Sequence, residues 1–324
     1  MTMNAPGPTL FADAVHAVAA HHGVRDKDVV PAPVQGQVNL TVFLGSELVL
    51  RIPRTTGAAD KLAKEAQVIA LVRDAGVPTP ELVRHDSTRR IADVPYMILQ
   101  RVHGATMAEQ DPEPMIHQRT LASLGEILVT LHQIKRKAVG PVSSIPEPFA
   151  FSPTELLGEL VRAGEIGTAQ HDWLLDRFTL LQPEGPPLAN PILLHRDVIG
   201  SNVMVDRDGV VIALLDWGCA EWGSPARDLV GLPIRSLPDL MSAYRSASGT
   251  SSASADREGD HTLERDALWY HLYLSLARLL KRRSTSEDRN WAAPRSATLL
   301  DFLAFTSDTG PGPWRSLLHP TALS

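Results

Sequence analysis

Apolar and polar positions follow two different periods along this chain, and the change between them near residue 103 divides it. Leu40-Thr41-Val42-Phe43-Leu44 and Glu47-Leu48-Val49-Leu50-Arg51-Ile52 flank Gly45-Ser46. Glycine as the first central residue suits a tight type II′ turn, so residues 40–52 are predicted to form a hairpin. Side chains alternate along a strand, which places Leu48, Leu50 and Ile52 on one face and Val49 and Arg51 on the other. Pro53 lacks the donor to continue the ladder. Residues 60–74 carry Leu62, Ala66, Ile69 and Ala70 at helical spacing, and Gly76 and Pro78 stop that helix. Val94 to Val102 reads as another strand, followed by Gly104.

Beyond residue 103, Leu121, Leu124, Leu128 and Leu131 recur at helical spacing, and most of the remaining chain is predicted helical. The exception is a short hairpin from Val203 to Leu215, turning at Asp206-Arg207-Asp208-Gly209. Leu263 to Leu280 is apolar nearly all round, the pattern of a buried helix. Residues 245–260 are small and polar and read as a flexible loop. At the other end, Leu10 to His22 places Phe11, Ala14, Val15 and Val18 on one side but carries Asp13 and no basic start. It is predicted to be an amphipathic helix and not a signal peptide.

Composition narrows the partners. The 324 residues carry a formal charge of −6 and no lysine–arginine stripe, which argues against nucleic acid and anionic membrane. No apolar run approaches the length of a bilayer span, so the expected location is the cytoplasm. A single cysteine, Cys219, excludes an internal disulfide framework and is expected to be a small buried residue.

The candidate chemistry lies between the apolar run Ile192-Leu193-Leu194 and a second run, Val210 to Leu215. His195-Arg196-Asp197 opens it, Asn202 follows after Val198-Ile199-Gly200-Ser201, and Asp216-Trp217-Gly218 closes it. Phosphoryl transfer from Mg-ATP needs one carboxylate to orient or deprotonate a hydroxyl, together with oxygen ligands for the metal. Asp197 is the candidate catalytic residue. Asn202 and Asp216 are the candidate metal ligands, hard oxygen donors suited to Mg²⁺. His195 is expected to pin the loop, and Trp217 to pack in the core. Arg51 points off the strand face opposite the leucines, and Glu65 leans toward the apolar side of its helix. A carboxylate there is costly unless a cation meets it, so the two are expected to pair. No P-loop, no Gly-x-Gly-x-x-Gly and no Gly-x-Ser-x-Gly elbow occurs.

On these residues the chain resembles the aminoglycoside phosphotransferase family of kinase-like small-molecule kinases. The resemblance rests on Gly36 and Asn39, Leu48 to Arg54, Glu65, Tyr96 to Gly104, and Leu128 to His132. It continues through the Asp197 loop, Asp216-Trp217-Gly218 and Gly223 to Leu229. It implies an α+β, two-lobed protein-kinase-like fold: an antiparallel-sheet nucleotide-binding lobe over residues 1–102, and a mainly helical lobe over 103–324 with the catalytic loop and acceptor site. It implies ATP or GTP between the lobes. Arg51 and Glu65 match the phosphate-binding pair, Gly36 and Asn39 the nucleotide loop, and the backbone from Gln100 to Val102 the purine hinge. Asp228 matches an aspartate that braces the loop. The chain departs from the family in Arg196, where glycine is usual, in Arg51, where many members have lysine, and in Ser224, where the family has aspartate.

The expected activity is O-phosphorylation of a hydroxyl on a small molecule, most naturally an antibiotic such as an aminoglycoside. The alternatives are a macrolide, sugar or nucleoside acceptor, a protein kinase, or a non-catalytic nucleotide-binding module. The protein is expected to be a monomer or homodimer. For a polycationic acceptor, the acids from Glu221 to Asp266 are Glu221, Asp228, Asp239, Asp256, Glu258, Asp260, Glu264 and Asp266. Five arginines lie among them.

Overall fold

The computed structural model describes residues 8–36, 38–110, 113–139, 144–183, 190–249, 261–280 and 296–307, with Trp314 and Leu317. In chain order the strands are β1 (Val29–Pro31), β2 (Asn39–Leu44), β3 (Leu48–Pro53), β4 (Leu82–Asp86), β5 (Tyr96–Gln100), β6 (Ala105–Thr106), β7 (Ile192–Leu194), β8 (Val203–Val205), β9 (Val211–Leu214) and β10 (Glu221–Gly223). The α-helices are α1 (Pro8–His21), α2 (Thr56–Asp74), α3 (Pro114–His132), α4 (Arg136–Val139), α5 (Pro153–Arg162), α6 (Thr168–Leu180), α7 (Leu237–Ala247), α8 (Thr262–Leu279) and α9 (Ala297–Ser307). No described helix is long and apolar enough to cross a membrane. The composition is mixed α+β, with an antiparallel sheet in the N-terminal region and mainly helices in the C-terminal part.

Two packing units share the chain. The first comprises Met1–Asp111, Val142–Ile145 and Ser201–Ala220, and the second the remainder. A single cut after residue 102 does not reproduce this packing. Residues 201–220 return to the first unit because β8 pairs with β6 and β9 pairs with β8. Gly104, just before β6, permits that return, since a Cβ there would stand 2.6 Å from the Val205 carbonyl oxygen.

In the first unit the sheet order is β1-β2-β3-β5-β4, antiparallel throughout. Strand alternation gives it two faces. Val42, Leu44, Leu50, Ile52, Tyr96 and Ile98 form one, and Ala14, Val15, Val18 and Ala19 of α1 cover it. Leu48 packs at the margin of this cluster. Each fully buried aliphatic side chain of this layer contributes roughly 1.5–3 kcal/mol. The opposite face carries Arg51, and α2 packs there. Thr55 caps α2, its hydroxyl accepting from the Ala58 N–H at 3.2 Å, so the helix starts before the predicted residue 60. Ala70, predicted to share the inward face, is exposed; Val68 and Val72 are buried there with Ile69. In the β2–β3 hairpin Leu44 pairs with Leu48, leaving Gly45, Ser46 and Glu47 in the loop. Glu47 therefore lies in the turn, with Gly45 at a left-handed φ of 65°.

In the second unit α3 and α7 pack most closely. Gly125 makes this possible: a Cβ there would lie 2.8 Å from both the Ala243 Cβ and the Tyr244 backbone nitrogen. Arg245 of α7 grips Glu264 of α8 through two hydrogen bonds of 2.9 and 2.6 Å. The predicted buried helix is α8, with Leu268, Leu272 and Leu276 fully buried. Of the predicted 245–260 loop, residues 250–260 lie outside the described residues.

His271 of α8 is 4% exposed, and its Nε2 has no partner among the described residues. Burial, then the Arg278 charge, hold its pKa down to about 4, against a bond to the Leu232 backbone that favours the charged form. A histidine buried neutral supplies stability that is complete above its unfolded pKa of 6.5 and is lost as pH falls through about 4. Acid titration of unfolding free energy should therefore show about 3 kcal/mol lost over that window beyond the carboxylate contribution. His271→Phe should abolish the extra loss; an unchanged acid profile in that variant would contradict the assignment.

Candidate active site

The first unit assembles a cation and two carboxylates from three elements. Arg51 projects from β3 toward α2, where its Nη1 forms an ion pair with Glu65 Oε1. Its Nη2 stands 3.2 Å from Asp216 Oδ1, beyond β9. The side chains of Arg51 and Glu65 are only 11% and 2% exposed, whereas that of Asp216 is 44% exposed. Burial alone would lower the Arg51 pKa, but Glu65 and Asp216 together raise it, so the guanidinium stays charged. Burial pushes Glu65 up to about 7; Arg51 opposes that rise and Asp216 adds to it.

The turn after β9 is built to present Asp216. Its φ of 65° and ψ of 69° are left-handed, a conformation aspartate tolerates better than most residues. The next residue anchors the turn. Trp217 is fully buried, its indole N–H donates to Thr79 Oγ1 at 2.7 Å, and its backbone N–H donates to Glu65 Oε1 at 3.3 Å. Thr79 in turn donates to the Leu214 carbonyl at 2.9 Å. Asn202 sits at the other side of the same hairpin, its carbonyl accepting from Leu215 N–H at 2.8 Å, so both candidate metal ligands flank one strand pair. Cys219, expected to be buried, is exposed. Trp217 occupies the interior of this short turn and leaves Cys219 on the outside.

Gly36 lies on the segment between β1 and β2, and Asn39 begins β2. The segment is tied by Gln35, whose side-chain amide donates to the Ala32 and Thr41 carbonyls at 2.9 and 2.8 Å and accepts from Thr41 N–H at 3.1 Å. Gly36 is exposed; Asn39 is buried, and its Oδ1 lacks a partner among the described residues. At the end of β5, the Gln100 and Arg101 N–H groups donate to the Glu81 and Glu47 carbonyls at 2.8 and 2.7 Å. The Gln100 amide is thus committed to the sheet edge.

The second unit carries the loop with Asp197. β7 pairs with β10, and His195 follows β7 fully buried. Asp228, 1% exposed, braces the turn: Oδ2 accepts from His195 N–H at 2.8 Å and Oδ1 from Arg196 N–H at 2.7 Å. Arg196 holds a left-handed φ of 71°. That conformation explains why glycine suits this position; a larger residue there costs roughly 1–2 kcal/mol. The arginine has other contacts: its Nε lies 3.0 Å from Glu221 Oε1, which also pairs with Arg227. Arg227 stacks over Phe151, 4.5 Å from the ring centre. His195 Nδ1 accepts from Asp197 N–H at 3.3 Å, the pinning role expected of it. Val198 passes so close to Gly231 that a Cβ there would stand 2.0 Å from its carbonyl oxygen. Asp197 itself is half-buried.

Burial would raise the Asp228 pKa. The hydrogen bonds it accepts from His132 and from the Arg196 amide oppose that rise, and the carboxyl is held below its usual range. His132 and Tyr244 were not singled out as site residues by their sequence pattern. Only the string Leu128 to His132 marked the first, and nothing marked the second.

Residues 29–269 match the phosphotransferase enzyme family. Viomycin phosphotransferase of Streptomyces vinaceus is 25% identical over 240 residues, covering 70% of this chain and 74% of that protein. The GDP complex of aminoglycoside 2'-phosphotransferase-IIIa superposes with a TM-score of 0.66 at 17% identity, covering 93% of this chain and 99% of the other. Macrolide 2'-phosphotransferase MphH from Brachybacterium faecium gives 0.56 at 21% identity, covering 88% and 98%. The last two establish the kinase-like fold. With the match spanning most of its length, this chain belongs to the phosphotransferase enzyme family, the APH family of small-molecule kinases.

Proposed function

We propose that this protein is an ATP- or GTP-dependent O-phosphotransferase acting on a hydroxyl of a small-molecule antibiotic. The observation that carries the proposal is Arg51, held by Glu65 and in contact with Asp216 across a long sequence separation. A buried guanidinium with two carboxylate contacts is a preorganised partner for phosphate oxygens, needing no rearrangement as charge develops.

Asp197 is the proposed base: its carboxylate accepts or orients the proton of the attacking hydroxyl. Asn202 and Asp216 are the proposed holders of Mg²⁺. The donor set fits this ion, which takes few protein oxygens and fills its shell with phosphate and water. The exposed Asp216 carboxylate beside Asn202 on one hairpin meets that need. When bound, Mg²⁺ would neutralise charge on the phosphate oxygens. Gly36, Asn39 and Val102 are proposed to line the nucleotide. At the hinge, the Val102 backbone and the Gln100 carbonyl are proposed to meet the purine.

The acceptor class is shaped by charge already spent within the protein. Of the acids in the 221–266 stretch, Glu221 is paired with two arginines, Glu264 with Arg245, and Asp228 with His132 and the loop amides. Asp256, Glu258 and Asp260 lie outside the described residues. The charge committed to these pairs favours, as the second reading, a partly apolar acceptor such as a macrolide.

Labelled ATP and GTP, each with Mg²⁺, should be offered with kanamycin, viomycin, a macrolide, a nucleoside and a generic protein substrate. Transfer to one antibiotic class is the expected result. No transfer to any of them by folded, nucleotide-binding protein would overturn the reading, and robust serine or threonine labelling would replace it with a protein kinase.

A further inference from the structure

We infer that Tyr244 and His132 are positioning residues that set the backbone of the catalytic loop through Asp228. The inference rests on the phosphotransferase reading for its kinetic consequence, but its geometry lies wholly within the second packing unit.

The chain of contacts is continuous, running from half-buried Tyr244 to a buried histidine and carboxylate. Tyr244 Oη, on α7, lies 2.9 Å from His132 Nδ1, on α3. His132 Nε2 lies 3.1 Å from Asp228 Oδ2. The side chains of His132 and Asp228 are 3% and 0% exposed. Asp228 then accepts from the two consecutive amides of His195 and Arg196.

Donor and acceptor roles follow by elimination. Asp228 accepts two backbone N–H groups, one on each oxygen, and is ionised. The ring nitrogen facing it must therefore carry a proton, or two lone pairs would oppose each other in a buried site. In the neutral ring the remaining nitrogen, Nδ1, is an acceptor, and among the described residues the Tyr244 hydroxyl is the donor that faces it. Burial, then the Asp228 charge, push Tyr244 up to about 12, so the phenol keeps that proton. Tyr244 thus selects the tautomer that lets His132 donate to Asp228.

The same carboxylate holds the strained residue next to Asp197. Arg196 is left-handed without being glycine, and both N–H groups at that turn end on Asp228. Without the His132 donor, Asp228 would be a buried ion short of one partner, free to rotate off one amide. A shift of the turn by a fraction of an ångström moves the Asp197 carboxylate, and misplacement by about 1 Å can cost a hundredfold in rate. Close packing at Gly125 fixes the distance between α3 and α7 on which the Tyr244–His132 contact depends.

Tyr244→Phe is the direct test, because it removes one oxygen and little else. We expect kcat to fall about tenfold with KM for nucleotide and acceptor changed less than about twofold. His132→Gln should do the same, and the double variant should be no slower than the slower single, since both act through one chain. Hydrogen exchange of the peptide spanning residues 194–198 should be faster in Tyr244→Phe, a readout that requires no acceptor. A lower melting temperature with unchanged kcat would show a structural role only and overturn the inference. So would a slower enzyme with unchanged exchange in that peptide, or multiplicative losses in the double variant. If wild-type protein phosphorylates nothing, the functional reading fails, whereas unchanged exchange in Tyr244→Phe removes the positioning chain.

Discussion

Asp197→Ala should reduce kcat by about a hundredfold to ten-thousandfold, the range for loss of a positioned general base. The melting temperature should move by no more than about 3 °C. The small stability effect follows from where the structure places the stabilising contacts. The turn is held by Asp228 through the N–H groups of residues 195 and 196, and the backbone N–H of Asp197 donates to His195 Nδ1. None of these uses the Asp197 carboxylate. One cation loses an attraction: burial lowers the Arg278 pKa, and the Asp197 charge partly opposes that. Steady-state turnover on the acceptor found in the panel, beside thermal melting, decides the matter. Unchanged turnover would remove Asp197 as the base.

Asp216→Asn should be nearly as severe, with kcat/KM lowered about a hundredfold or more, equivalent to several kcal/mol of charge stabilisation. Asparagine is the informative replacement, because it tolerates the left-handed backbone at this position, whereas alanine would add strain of about 1 kcal/mol. The variant removes a proposed metal ligand and also one of the two anions that face Arg51. Nucleotide affinity measured with and without Mg²⁺ separates these effects. The expected result is that Mg²⁺ no longer strengthens nucleotide binding, while metal-free binding is equal or tighter because Arg51 has lost a competing anion. An undiminished Mg²⁺ effect would contradict the assignment of Asp216.

Much of this was legible in the sequence because it depends on short-range periodicity. The apolar face of Leu48, Leu50 and Ile52, the leucine stripe of α3 and the inward lean of Glu65 follow from strand and helix periods alone. Pairing of Arg51 with Glu65 could be anticipated because a buried carboxylate needs a cation. The nature of each cover could not be read this way. Period marks which side is apolar; it does not say that α1 covers one sheet face and α2 the other. Ala70 was misplaced for a related reason: alanine is apolar enough to extend a stripe but small enough to stay at the surface.

By itself the sequence determined the residue types of the proposed phosphate and metal chemistry, the order of the elements and the loop that carries Asp197. These are local properties: dihedral preference, side-chain period and the fixed spacing from His195 to Asn202. Only the tertiary structure decided that Arg51 meets Asp216, that Cys219 lies outside its turn, that Glu221 serves two arginines, and that Tyr244 and His132 stand behind Asp228. Each joins groups far apart in the chain or depends on which neighbour fills the interior first. The physical reason is desolvation. A buried charge or donor must find a partner, and close packing, not sequence distance, selects which one it finds.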